Sequence, residues 1–188
     1  MKRLALFLVI AVLPGIFSLS AQQASNPAGA IINHYAARSF AAGTLPKADL
    51  DQIIQAGLRA PSASNRQPWH FTVVQNFDLA KKIVPQAVDG NALIVVSASG
   101  DSKTNVREII DCALATESIY LAAQALGYGS RIYTGPIDSL NRSLKNELGL
   151  PGGYSAVALV RVGRVDGKTD AVSAASERKA ADTLVTYK

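Results

Sequence analysis

The sequence predicts one domain in which helices and strands alternate, and three observations carry that expectation. A chain of 188 residues that is 48% apolar and 18% charged can bury enough surface to offset its conformational entropy, which excludes disorder and suits a single core. The run Leu93-Ile94-Val95-Val96 within Ala92 to Ser97 has the continuous apolar, β-branched character of a strand buried on both faces. Asn105 to Leu126 is the longest helical pattern, and from Cys112 onward only Thr116, Glu117, Ser118 and Gln124 are polar. A helix apolar on almost every face must be covered all round, in a domain centre or against a second subunit. With Cys112 as the single cysteine, a disulfide framework, a zinc ribbon and an iron–sulfur cluster are all excluded.

The chain opens with Lys2 and Arg3, followed from Leu4 to Leu19 by a charge-free stretch interrupted only by Pro14, Gly15 and Ser18. Small residues Ser18-Leu19-Ser20-Ala21 then suit cleavage, so residues 1–21 read as a signal peptide and 22–188 as the exported, periplasmic domain. A retained membrane anchor is the competing reading, but the Pro-Gly pair interrupts a segment already short for a span. Cleavage lowers the net charge from +5 by the two lost cations. Little basic excess is left for nucleic acid.

Asn26-Pro27 resembles a helix start, with Ile31, Ile32 and Tyr35 at helical spacing and an end near Ala37. Pro46 to Ala60 is amphipathic, with Leu50, Ile53, Ile54, Gly57 and Leu58 on one stripe, and it stops before Pro61. A strand His70 to Val74, a short helix Asp78 to Ile83 and the buried strand Ala92 to Ser97 follow. Gly127 ends the long helix. A strand Ser130 to Thr134, a helix from an Asp138 cap to Leu148, a strand Ser155 to Val162, and an extended tail with a strand-like Leu184 to Tyr187 complete the chain.

Catalytic side chains are scarce. His34 and His70 have no partner at a metal-ligand spacing, Cys112 sits among apolar neighbours, and neither a G-x-S-x-G elbow nor a phosphate-binding glycine loop is present. One stretch stands apart: Ala60-Pro61-Ser62-Ala63-Ser64-Asn65-Arg66-Gln67-Pro68-Trp69-His70-Phe71. Two prolines hold a non-repetitive backbone between a helix and a strand, and small polar side chains let the chain approach a flat heteroaromatic ligand closely. The plain alternative is a well-capped connection that binds nothing.

This loop resembles the flavin-binding loop of the FMN-dependent nitroreductase family, A-P-S-x-x-N-x-Q-P-W followed by a strand, at every fixed position. The resemblance implies an α+β fold, a three-layer sandwich whose central, mainly antiparallel sheet is flanked by helices, in an intertwined homodimer with flavin sites between subunits. It implies FMN as cofactor. Pro61, Ser62, Ala63, Ser64, Asn65 and Gln67 would contact the ring and ribityl chain, Tyr133-Thr134-Gly135 would offer backbone groups to the ring, and Arg38, Ser39, Arg178 and Lys179 would hold the phosphate. Alone, Arg38 reads as a solvated arginine and Arg178-Lys179 as a charged tail. Ala37 and Ala41 stand where family members commonly carry basic residues, which weakens the phosphate site. Trp69 reads as core packing.

The activity implied is hydride transfer from a reduced donor such as NAD(P)H, through flavin N5, to an electron-poor acceptor such as a nitroaromatic or quinone, with no catalytic acid or base assigned. Alternatives are another enzyme of the same fold, flavin-fragmenting or dehalogenating, and a non-enzymatic flavin or tetrapyrrole binding module.

Overall fold

The computed structural model describes residues 27–100, 105–168, 172–173 and 178–188, so the expected signal peptide lies outside the described residues. In chain order the elements are α1 (Pro27–Ile32), β1 (Ala36–Ala37), β2 (Phe40–Ala41), α2 (Lys47–Leu58), β3 (Trp69–Val74), α3 (Phe77–Ile83), β4 (Ala92–Ser99), α4 (Val106–Ala125), β5 (Gly129–Tyr133), α5 (Ile137–Ser143), β6 (Tyr154–Val165) and β7 (Val172–Ser173). The main sheet runs β2-β6-β4-β3, with β5 also paired to β6, and every pairing is antiparallel. β1 and β7 form a separate antiparallel pair.

The sheet is the middle of three layers. Ile94, Val96, Ala158, Val160 and Val162 point to one face, where Leu50 and Ile53 of α2 and Cys112, Ala115, Ile119 and Ala123 of α4 cover them. Leu93, Val95, Ala156 and Leu159 point to the other, against Ala80 and Ile83 of α3 and Leu140 of α5. Since successive strand residues alternate faces, the unbroken apolar run of β4 is what a sheet covered on both sides requires. α2 crosses α4 at Gly57, where an added Cβ would stand 2.7 Å from Ile119 Cγ1. Gly127 ends α4 with a positive φ of 83°, and Tyr128 N–H donates back to the Ala123 carbonyl. Among the described residues no helix is long and apolar enough to cross a membrane.

Three elements differ from expectation. α1 stops at Ile32 rather than Ala37, because Ala36 and Ala37 are drawn into β1. α5 is capped at Pro136, not Asp138, and its α-helical part ends at Ser143 rather than Leu148. Leu184 to Tyr187 forms no strand. A short 3-10 turn, Ala181–Thr183, precedes it, and Leu184, Val185 and Tyr187 are exposed. β-branched residues make a strand only where an edge is offered to them.

Candidate flavin site

The loop between α2 and β3 has an unusual backbone. Ser64, Asn65 and Gln67 take positive φ values of 53°, 53° and 48°, a region that asparagine tolerates and that serine and glutamine enter only under constraint. The constraints are visible. Asn65 N–H donates to the Ser62 carbonyl at 3.0 Å, Gln67 N–H to Ser62 Oγ at 3.0 Å, and the Gln67 amide to Asn65 Oδ1 at 3.1 Å. From α4, Asp111 Oδ1 accepts the Ala63 N–H at 3.0 Å. Ser62 is half-buried, while Pro61, Ala63, Ser64, Asn65 and Gln67 are exposed. The loop is thus shaped by its own hydrogen bonds and by Asp111, and presents its outer surface to solvent. Trp69, just beyond it, is buried and stacked on Phe71, in the expected packing role.

Beneath the loop, Glu108 and Asp111 lie one turn apart and share Arg66, whose guanidinium is 3.4 Å from Glu108 Oε1 and 4.0 Å from Asp111 Oδ2. Glu108 Oε2 and Asp111 Oδ2 are buried without a hydrogen bond. This negative pair, with burial as the larger cause, pushes the neighbouring Cys112 thiol up to about 12. The thiol is a neutral packing group.

On another side of α4, Ile109, Ala113, Thr116 and Glu117 face Ile132, Thr134, Val157 and Ala158 across a mostly apolar cleft of about 360 Å³. Thr134 thus lines a slot at the end of β5. Gly135 turns into a smaller cleft of about 250 Å³ under α5, and the Tyr133 ring packs on the α3/α5 side of the sheet. Between the loop and the slot, α4 leaves Val106, Ile110 and Leu114 exposed at 64%, 55% and 42%.

The four expected phosphate residues are not gathered in one place. Arg38 and Ser39 line a polar cleft with Gln86, Arg161, Asp166 and Lys168. Arg178 lies instead near Tyr120, whose hydroxyl donates to the Tyr35 carbonyl at 2.6 Å and whose phenol is raised above the ordinary range by burial, with Arg178 opposing the shift. Lys179 is exposed beside it. Sequence reasoning missed Asp111, Glu108 and Arg161. The signal for Arg161 was present, as a charge interrupting the apolar strand Val157 to Val162.

The family model for the nitroreductase family matches residues 31–99 and 87–164, most of the chain. The chain belongs to the nitroreductase family. A relative from Archaeoglobus fulgidus, provisionally named NADH dehydrogenase/NAD(P)H nitroreductase, is 34% identical over 125 residues, covering 61% of this chain and 71% of its own. Among solved structures, NfrA1 of B. megaterium superposes with a TM-score of 0.75 at 20% identity, covering 86% of this chain and 73% of that one. A nitroreductase with bound FMN from Desulfitobacterium hafniense gives a TM-score of 0.69 at 22% identity, covering 86% and 97%. At these identities the two structures establish the nitroreductase fold, which the three layers described above display.

Proposed function

We propose that this nitroreductase-family protein is an FMN-dependent oxidoreductase that takes electrons from NAD(P)H and passes them to a flat, electron-poor acceptor. The observation that carries the reading is the exposed, pre-shaped loop Pro61 to Gln67 bearing the full flavin-loop motif. The residue types suit FMN: an apolar slot at Thr134 for the ring, and the Arg38 guanidinium and Ser39 hydroxyl for the phosphate. When bound, FMN supplies hydride acceptance and donation between the reduced donor and the acceptor. The protein's own part is to hold the ring in a slot with little water and to place main-chain donors at its polar edge. No side chain is needed as acid or base.

The loop and the slot lie on different sides of α4, with the exposed stripe Val106, Ile110 and Leu114 between them. A two-fold contact through that stripe would bring one protomer's loop over its partner's slot, so we assign the working form as a homodimer with shared flavin sites. A basic start followed by an apolar run supports export, which mass spectrometry of secreted or periplasmic material tests by the absence of an intact Met1.

Purification without added cofactor is the direct test of function. A yellow protein with flavin absorbance that bleaches on anaerobic mixing with NADH or NADPH is expected. A colourless protein that fails to bind added FMN overturns the reading, and binding without bleaching by either nucleotide overturns the donor.

A further inference from the structure

One ionisable side chain lines the slot between α4 and the sheet. Ile109, Ala113, Thr116 and Glu117 stand at helical spacing on one stripe of α4, and of the eight residues around the slot only Glu117 carries a charge. It is half-buried at the end of that stripe. The Thr116 hydroxyl beside it is already engaged, donating to the Cys112 carbonyl at 2.7 Å. Among the described residues no cation lies within 4.0 Å of the Glu117 carboxylate. Arg178 and Glu117 act on the Tyr120 phenol in opposite senses, yet no ion pair joins them.

The sheet keeps the neighbouring arginines out of the slot. Ile132 pairs with Val160, on the face that α4 covers, whereas Arg131 pairs with Arg161, which shares the opposite face with Leu159. On that far face the buried Arg161 guanidinium is held by Asn91 Oδ1 at 3.0 and 2.8 Å, by the Phe40 ring and by the Tyr133 side chain, and Arg131 lies 5.2 Å from the Tyr133 ring centre. The residues lining the slot therefore offer one negative charge and nothing to offset it. Apolar walls strengthen its field, because less water screens it. A charged guest also gives up hydration on entering, a cost that only an opposite charge returns. A carboxylate or sulfonate loses on both counts, a neutral ring on neither, and an ammonium group gains Glu117 as its partner.

We propose that Glu117 selects the acceptor by charge, so that the slot admits flat aromatic acceptors that are neutral or cationic and turns away those bearing a carboxylate or sulfonate. The inference rests on the flavin slot of the proposed function and names the class of acceptor which that slot takes. Three probes of like shape test it: para-nitrobenzamide, para-nitrobenzoate and para-nitrobenzyltrimethylammonium. Each is titrated into FMN-loaded protein without a reduced donor, at constant ionic strength, and its dissociation constant is read from the change in flavin absorbance. The wild type should bind the anion more than tenfold more weakly than the neutral amide, and the cation at least as tightly as the amide. Glu117→Gln keeps the side-chain shape and breaks no ion pair, so it should melt with the wild type. It should narrow the gap between anion and amide by roughly tenfold, the lower end of what one half-screened carboxylate exerts on a neighbouring charge. Glu117→Asp, which retains the charge, should keep the order of the three. Ratios within one protein cancel any change in flavin loading. A chain that takes up no FMN overturns the flavin reading and this inference with it. FMN-loaded protein that binds all three probes alike or none of them, or whose order is unchanged in Glu117→Gln, overturns the charge selection alone.

Discussion

Asp111, on the central helix, accepts the main-chain N–H of Ala63 at 3.0 Å, and so ties the flavin-motif loop to the most buried helix of the domain. Asp111→Ala leaves that N–H without its partner and removes a contact that holds three left-handed residues in place. A loss of about 1–3 kcal/mol is expected, together with weaker FMN binding by roughly tenfold. Asp111→Asn keeps an oxygen acceptor and relieves the crowding with Glu108, so its melting temperature should stay close to the wild type. Calorimetry and flavin fluorescence titration of both variants check this, and equal losses in the two would refute the tie.

Ile110 stands in the middle of the exposed apolar stripe of α4, 55% accessible in the single chain. Ile110→Glu adds charge to a surface already open to water and should leave the fold of the protomer intact. At a dimer contact the same charge would be desolvated without a partner, at a cost of several kcal/mol. Light scattering after size exclusion should show a dimer for the wild type and a monomer for the variant, with flavin binding lost alongside.

Gly57 decides how closely α2 and α4 approach. Replacing it by alanine gains about 1 kcal/mol of helix propensity. The new methyl would meet Ile119 at 2.7 and 2.8 Å and Phe71 at 3.1 Å, and Ile119 is fully buried. Overpacking of that kind costs about 1–3 kcal/mol. Net destabilisation is expected in urea unfolding, whereas Ala56→Gly next to it should lose only the propensity term.

Cys112 should be inert and should register in the alkaline stability of the protein. Its thiol is pushed from 9.0 up to about 12 by burial, with Asp111 and Glu108 adding to the shift. Between these values the unfolded chain releases a proton that the folded chain keeps, so stability is full below pH 9.0 and falls as the pH rises. The slope from this one group is at most about 1.4 kcal/mol per pH unit. Denaturant unfolding from pH 7 to 11 should show the decline. Cys112→Ala should flatten part of it, the rest belonging to Tyr120 and Tyr128, whose phenols are also raised. A thiol reagent should react only after unfolding.

Helix and strand positions were legible wherever burial imposes a period or a continuous run. α2, β4 and α4 fall within a residue or two of expectation because Leu50, Ile53, Leu93 to Val96, Cys112 and Ile119 each answer to a covered face. Ala36-Ala37 and Leu184 to Tyr187 were misjudged because short segments take their conformation from whichever edge lies near them, and no local pattern records that edge. The flavin loop was legible as a motif. Its left-handed residues and its tie to Asp111 were not, since residues 63 and 111 meet only through the packing of α4 beneath the loop.

The sequence by itself determined the long elements, the apolar character of the central helix and the loop that marks the family, because hydrophobic period and close-approach chemistry are written in neighbouring residues. Only the tertiary structure decided which cations share a cleft. Arg38 and Arg178 are alike as arginines in the chain, yet one lies beside Arg161 and the other near Tyr120. The reason is geometric: a sheet sends alternate residues to opposite faces, and register and crossing strands, set by the whole core, assign each charge to its side.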